Sequence, residues 1–189
     1  MKPVIVDPTQ PNEFITHFIN YIPSGDLLDL GAGSGRHAVF AAQHDFRVVA
    51  VEPDEELCTA LRQIPDVEVI QSDIASYRPG KEFDAVICAM VLHFLDKQEV
   101  DQAIELMQST TKPGGINAIS AYTDQNVADF MAGNPYGDHS YLLKPNELRS
   151  FYEGWELLEY EEAWTPPGIV NQDDVPKSFH KVNMIARKR

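Results

Sequence analysis

The chain has 189 residues, enough for one sizeable core and too few for two ordinary domains, so 1–189 reads as a single domain. Its 43% hydrophobic and 23% charged content are those of a soluble globular protein. Asp and Glu number 29 against 15 Lys and Arg, a formal net charge of -14, and such a surface repels nucleic acid and anionic membrane, leaving neither as an expected partner.

The N-terminal MKPVIVDPTQP lacks a signal peptide's basic-then-apolar layout, and no apolar run reaches membrane length. A cytoplasmic protein, monomeric or homodimeric, is expected. Residues 12–22, bracketed by Pro11 and Pro23, place Phe14, Ile15, Phe18, Ile19 and Ile22 on one helical face. A first strand is predicted over 26–30 and a helix over 35–44. Arg47 to Val51 is a second strand, closed by Glu52 and Pro53. Asp54 then caps a helix whose stripe is Leu57, Ala60, Leu61 and Ile64. Val67 to Gln71 is a third strand, Phe83 to Cys88 a fourth, and a helix follows over 97–111. Lys112 to Gly115 reads as a turn before a fifth strand over 116–121. The stretch 122–143 is irregular, with a short helix near 125–132 and a loop over 133–143 long enough to act as a lid. Pro145 starts a further helix. Trp155 to Trp164 and His180 to Arg187 are the last strands, antiparallel neighbours joined by a loop over 165–177. Cys58 and Cys88 read as buried thiols, no metal cluster is visible, and the C-terminal ARKR reads as a solvated tail.

Five alternations of strand and helix make a doubly wound α/β sheet with helices on both faces. Ligands in such sheets sit outside the carboxyl ends of the strands. The stretch Leu27 to Gly35, LLDLGAGSG, ends the first strand there. Gly31, Ala32 and Gly33 make a turn whose backbone can approach a ligand closely, and Gly35 and Arg36 open the next helix. Glu52 ends the second strand, where an acceptor-only carboxylate suits a ribose diol. Asp73 and Ile74 end the third, where a carboxylate can accept from an adenine amino group or cap a short helix. Ala89 and Met90 end the fourth. A dinucleotide turn reads G-x-G-x-x-G, but here the third glycine comes one place early. With Asp29 before the turn, this spacing suits a cationic ligand without a pyrophosphate, which points to S-adenosyl-L-methionine. The candidate cofactor residues are thus Asp29, Gly31, Ala32, Gly33, Gly35, Arg36, Glu52, Pro53, Asp73, Ile74, Ala89 and Met90.

The segments LLDLGAGSG, VVAVEPD, SDI, FDAVICAMVLHF and TKPGGINAISA, in that order, resemble the class I S-adenosylmethionine-dependent methyltransferases over nearly the whole chain. GSGRHAVFAA, VLHFL, TKPGGINAIS and NELRSFYEGWELLEYEE narrow the resemblance to the tellurite-resistance, or TehB-type, group. The resemblance implies a seven-stranded Rossmann-like sheet of order 3-2-1-4-5-7-6 with strand seven antiparallel. It also implies methyl transfer from S-adenosyl-L-methionine, released as S-adenosyl-L-homocysteine, to a small-molecule acceptor such as a chalcogen oxyanion or a thiol. The alternatives are a macromolecular acceptor or a regulatory protein that binds the methyl donor without turnover. In the TehB-type group a His-Arg pair between the last two strands is associated with the oxyanion, and here that place holds Gly168 and Ile169. His93, just past the fourth strand, and His139 and Tyr141, in the lid-like loop, are the candidates for contact with the acceptor. Arg36 and Lys144 are the candidate cations.

Overall fold

Seven segments pair into one sheet in the computed structural model, which describes residues 4–5, 10–126, 141–169 and 178–189. The strands are β1 (Gly25–Leu30), β2 (Phe46–Glu52), β3 (Val67–Gln71), β4 (Phe83–Ala89), β5 (Thr111–Tyr122), β6 (Glu156–Trp164) and β7 (His180–Arg187). Their order is β3-β2-β1-β4-β5-β7-β6, and β7 runs antiparallel to both of its neighbours. The helices are α1 (Glu13–Thr16), α2 (Arg36–Ala42), α3 (Glu55–Leu61), α4 (Lys97–Thr110) and α5 (Glu147–Phe151).

Side chains alternate across a strand, and the central strands are apolar on both faces. Leu28, Leu30, Val49, Val51, Val86 and Cys88 face one core, closed by Val100, Ala103, Ile104 and Met107 of α4 and Leu148 of α5. Leu27, Val48, Ala50, Ala85 and Ile87 face the other, closed by Ile15 of α1, Ala38 and Ala41 of α2 and Leu61 of α3. The helices begin at side chains that accept amide hydrogens. Asn12 Oδ1 accepts from Phe14 N at 3.1 Å and Asp54 Oδ1 from Leu57 N at 2.9 Å. Asp96 and Glu99 form a reciprocal capping box at α4.

Four expectations change. The helix predicted over 12–22 tightens after Thr16 into a 3₁₀ turn, His17–Asn20. Its three-residue period stacks Phe18 beneath Ile15, and both are fully buried. The turn predicted at 112–115 is instead a bulge within β5. Thr111 pairs with Phe83 and Ile116 with Ala85, so β5 advances five residues while β4 advances two. The C-terminal basic cluster is not a solvated tail. Lys188 Nζ donates to the carbonyls of Gln108 and Thr111 at 2.7 Å each, closing the end of α4, and Arg187 lies 3.5 Å from Glu156. The loop predicted after Trp164 contains a two-residue strand, Gly168–Ile169, paired in parallel with Val4–Ile5. The short helix expected near 125–132 is represented by a 3₁₀ turn at Asp124–Asn126, and its remainder lies outside the described residues. Both thiols are buried as expected.

Candidate functional site

The carboxyl ends of β1, β2, β3 and β4 lie side by side because the four strands are parallel neighbours in register. The turn after β1 rests on the end of β2, where Val51 O accepts from Gly31 N at 2.8 Å and from Ala32 N at 3.1 Å. Glu52 completes the support. Its Oε2 accepts from Gly33 N at 2.8 Å and its Oε1 from Asp54 N at 3.1 Å. Each oxygen keeps a further lone pair for a ligand.

Between these ends lies a cavity of about 470 Å³. Gly31, Ala32, Gly33 and Arg36 wall it on the β1 side, Glu52 and Pro53 on the β2 side. Asp73 and Ile74 close the β3 side, and Ala89 and Met90 the β4 side. Asp73 also holds its own turn, accepting from Ser76 N at 2.6 Å. Met90 adopts a left-handed backbone, φ 61°, where the chain leaves β4.

Two of the predicted residues stand behind the wall. Gly35, at φ 83°, lets α2 pack on α3, and a Cβ there would lie 2.4 Å from Leu61 Cδ2. Asp29 is 1% exposed, and neither carboxylate oxygen has a hydrogen-bond partner among the described residues. Burial pushes its carboxyl up to about 7, opposed by Arg36 and reinforced by Glu52. A buried carboxylate without donors is an arrangement that a bound cation would complete.

The wall also contains three residues the sequence pattern hid, Leu57, Phe94 and Leu95, together with His37, one of the histidines the sequence offers for the chemistry. Leu57 reads as part of the sheet-facing stripe of α3, but it lines the cavity from the first turn. Phe94, 42% exposed, and Leu95 line it from the short 3₁₀ turn after β4. His37 is buried in the wall, and burial, with Arg36 beside it, holds its imidazole down at about 4. Its Nε2 accepts from Asn12 N at 3.1 Å, which places the ring proton on Nδ1.

The residues expected to meet the acceptor are distributed differently. His93 is 3% exposed and does not line the cavity. Its ring packs between Phe94, centroids 4.3 Å apart, and Tyr122, 4.6 Å, and burial lowers its pKa to about 4. Tyr141 is tied to the body of the protein: its amide donates to Leu95 O at 2.9 Å and its hydroxyl to the Glu147 carboxylate at 2.8 Å. Burial and Glu147 push that phenol up to about 12. His139 and residues 133–140 of the expected lid lie outside the described residues. Lys144 is exposed and apart from the cavity wall. The described residues contain no group of three metal-ligating side chains and no helix long and apolar enough to cross a membrane.

A doubly wound sheet in this order, reversed at β7 and opened by a glycine turn after β1, is the class I methyltransferase fold. The solved structure of TehB from Haemophilus influenzae matches it with a TM-score of 0.81 at 23% identity, over 95% of this chain and 63% of that one. The family described as tellurite resistance protein TehB matches residues 8–173, and the chain belongs to that family. Hemagglutinin 1 of Eikenella corrodens is 34% identical over 188 residues, 95% of this chain and 60% of that protein. The probable S-adenosyl-L-methionine-dependent methyltransferase TehB of Haemophilus influenzae is 28% identical over 168 residues, 86% of this chain and 57% of that protein. The chain therefore spans about three fifths of the length of these two relatives.

Proposed function

We propose that the chain binds S-adenosyl-L-methionine in the cavity at the ends of β1 to β4 and transfers its methyl group to a small-molecule acceptor. The observation that carries this reading is Asp29, a carboxylate buried behind a glycine turn with no donor of its own among the described residues. A pyrophosphate would be repelled by that charge, whereas the cationic methionyl part of the donor would be stabilised by it. The name of the 28%-identical relative from Haemophilus influenzae supports the same donor.

In this reading the residues divide the work by chemistry. The spare lone pairs of Glu52 accept from the ribose hydroxyls, and the outer oxygen of Asp73 accepts from the adenine amino group. Pro53, Leu57 and Ile74 give the base apolar walls, and the backbone from Gly31 to Gly33 leaves room for the methionyl chain. When bound, S-adenosyl-L-methionine supplies an activated methyl on a sulfonium whose departure yields a neutral thioether. The protein's part is then to align the acceptor's lone pair with the carbon–sulfur bond, a contribution of about 7–11 kcal/mol for well-oriented partners. A soft nucleophile needs no general base in such a displacement. This agrees with His93 being buried among rings and Tyr141 being held by Glu147.

The test is calorimetric titration with S-adenosyl-L-homocysteine, followed by an assay of its release from S-adenosyl-L-methionine. Tellurite, selenite, small thiols and small organic acids serve as acceptors. Saturable binding and release with at least one acceptor are expected. Absence of binding overturns the proposal; binding without release from any acceptor favours a protein that holds the donor without turnover.

A further inference from the structure

Among the described residues, most cations are spent on the chain's own groups. Arg47 and Lys81 pair with Asp26 at 2.9 and 3.0 Å, Lys112 with Asp84 at 2.9 Å, and Lys97 with Asp101. Lys188 is held by two carbonyls. Lys181 differs. It is half-buried on β7, and it makes no ion pair and no hydrogen bond with its ammonium among the described residues. Its ammonium lies 5.5 Å from the centroid of the Tyr122 ring, its cross-strand neighbour on β5. A ring face recovers only part of the hydration lost by a half-buried ammonium. Burial and the nearby guanidinium of Arg36 both press on that charge and lower its pKa.

The position matters as much as the missing counter-charge. β7 is reversed, so the start of β7 lies at the carboxyl end of β5, the same end of the sheet as the cavity. Strand alternation puts Lys181, Asn183, Ser120 and Tyr122 on one face, the face covered by α1 and α2. Hydrogen bonds join this patch to the cavity. Asn12 Nδ2 donates to Ser120 Oγ at 3.1 Å, Ser120 Oγ donates to Asn183 Oδ1 at 2.7 Å, and Met90 N donates to Ser120 O at 2.7 Å. Met90 is itself in the cavity wall. From Phe94, also in that wall, a run of ring contacts passes through His93 and Tyr122 to Phe179, the last at 5.1 Å.

We propose that Lys181 receives the anionic group of the methyl acceptor, and that this acceptor is an organic acid whose apolar body lies along Tyr122 and its aromatic neighbours. The inference rests on the methyltransferase reading above and names the acceptor's chemical class. A single ammonium beside aromatic rings matches one carboxylate on an apolar frame. A small bare oxyanion needs several donors converging on it; Lys181 is the one ammonium on this patch among the described residues, and the nearby guanidinium of Arg36 already donates to Gln10 O at 3.4 Å. Lys181 is a positioning and specificity residue, since the alignment it provides is of the acceptor's far end, not of the reacting atom.

The experiment uses the whole chain saturated with S-adenosyl-L-homocysteine and titrated with benzoate, benzamide or inorganic phosphate. Benzoate is expected to bind at least tenfold more tightly than either benzamide or phosphate. Lys181→Met is expected to weaken benzoate at least tenfold while S-adenosyl-L-homocysteine affinity stays within twofold, and Lys181→Arg is expected to retain most of it. Preserved S-adenosyl-L-homocysteine affinity also reports that the variant folds. If Lys181→Met does not fold, the lysine side-chain NMR signals of the wild type carry the test, and a benzoate-dependent shift of the Lys181 signal is expected. Benzoate binding that is absent, that equals benzamide binding, or that survives Lys181→Met unchanged overturns the proposal and leaves donor binding intact. Tighter binding of phosphate than benzoate assigns the patch to a bare oxyanion and overturns the organic-acid class. Failure to bind S-adenosyl-L-homocysteine at all overturns the methyltransferase reading instead.

Discussion

Glu52 Oε2 accepts the Gly33 amide hydrogen at 2.8 Å, so the last side chain of β2 holds the turn that follows β1. The same carboxylate is 7% exposed and faces the cavity. Glu52→Ala removes an acceptor from Gly33, an acceptor from Asp54 and the proposed ribose contact together. Calorimetry should show S-adenosyl-L-homocysteine affinity reduced by about 1.5–3 kcal/mol, roughly 10- to 150-fold. Glu52→Gln, which keeps one acceptor oxygen, should lose less. Unchanged affinity in the alanine variant removes Glu52 from the ligand's partners.

Asp29 sets a pH dependence of opposite sign to that of the buried histidines. Burial holds its carboxyl at about 7 in the fold, against an ordinary aspartate value of 3.8. Between those values the native state holds a proton that the unfolded chain has released, so this contribution to stability falls as pH rises and is gone above about 8. His37 and His93, both lowered to about 4, act the other way, and stability falls as pH drops from 6.5 to 4. Asp29→Asn isolates the first effect. The difference in melting temperature, variant minus wild type without ligand, should be small at pH 5 and grow to several degrees by pH 8. The same variant should bind S-adenosyl-L-homocysteine at least tenfold more weakly. A melting-temperature difference that does not change with pH contradicts the raised carboxyl.

Two glycines of the turn should separate folding from binding. Gly35→Ala puts a Cβ 2.4 Å from Leu61 Cδ2 and 2.9 Å from Ile64 Cδ1 at φ 83°. Urea unfolding should show a loss of roughly 2–4 kcal/mol from backbone strain and overpacking together. Gly33→Ala, at φ 56° with nothing within 4 Å of the new carbon, should lose about 1 kcal/mol. Gly33 lines the cavity and Gly35 does not, so the alanine at 33 should weaken donor affinity more than the alanine at 35.

Tyr152 offers a control remote from the cavity. Its buried hydroxyl accepts from Asn117 Nδ2 at 2.8 Å, on the face of β5 covered by α5. Tyr152→Phe leaves that amide without its partner and should destabilise the fold by about 1–3 kcal/mol. S-adenosyl-L-homocysteine affinity should stay within twofold; a larger change would mean that the two faces of the sheet communicate.

The wall of the cavity is legible because most of it is local. Gly31 to Gly35 are consecutive, Glu52 and Ala89 close apolar runs of strand length, and Asp73 follows the alternating strand Val67–Gln71, so counting along the chain finds the strand ends that converge. What escaped depends on pairing between distant segments. The Lys112–Gly115 stretch has turn composition, but Gly114 N donates to Lys188 O at 2.9 Å, and the tail converts the turn into a bulge. Gly35 resembles a ligand-loop glycine until Leu61 is placed against it. Lys181 reads as an ordinary polar position of an alternating strand. Only the reversal of β7 sets it opposite Tyr122, where its ammonium has no ion-pair partner among the described residues. Topology puts His93 just past β4, at the cavity's end of the sheet, but its ring turns into the aromatic cluster beside it.

Both core clusters are built from the interiors of the strands, and neither includes Tyr122 or Lys181. Divergence at these two positions therefore leaves the buried scaffold of β1, β2 and β4 untouched. In the proposed reading, a change of acceptor needs no change in the cavity at the ends of β1 to β4. On that same reading, sequence similarity concentrated in the core strands is thus a weak guide to the acceptor, and the tips of β5 and β7 are the stretch to compare.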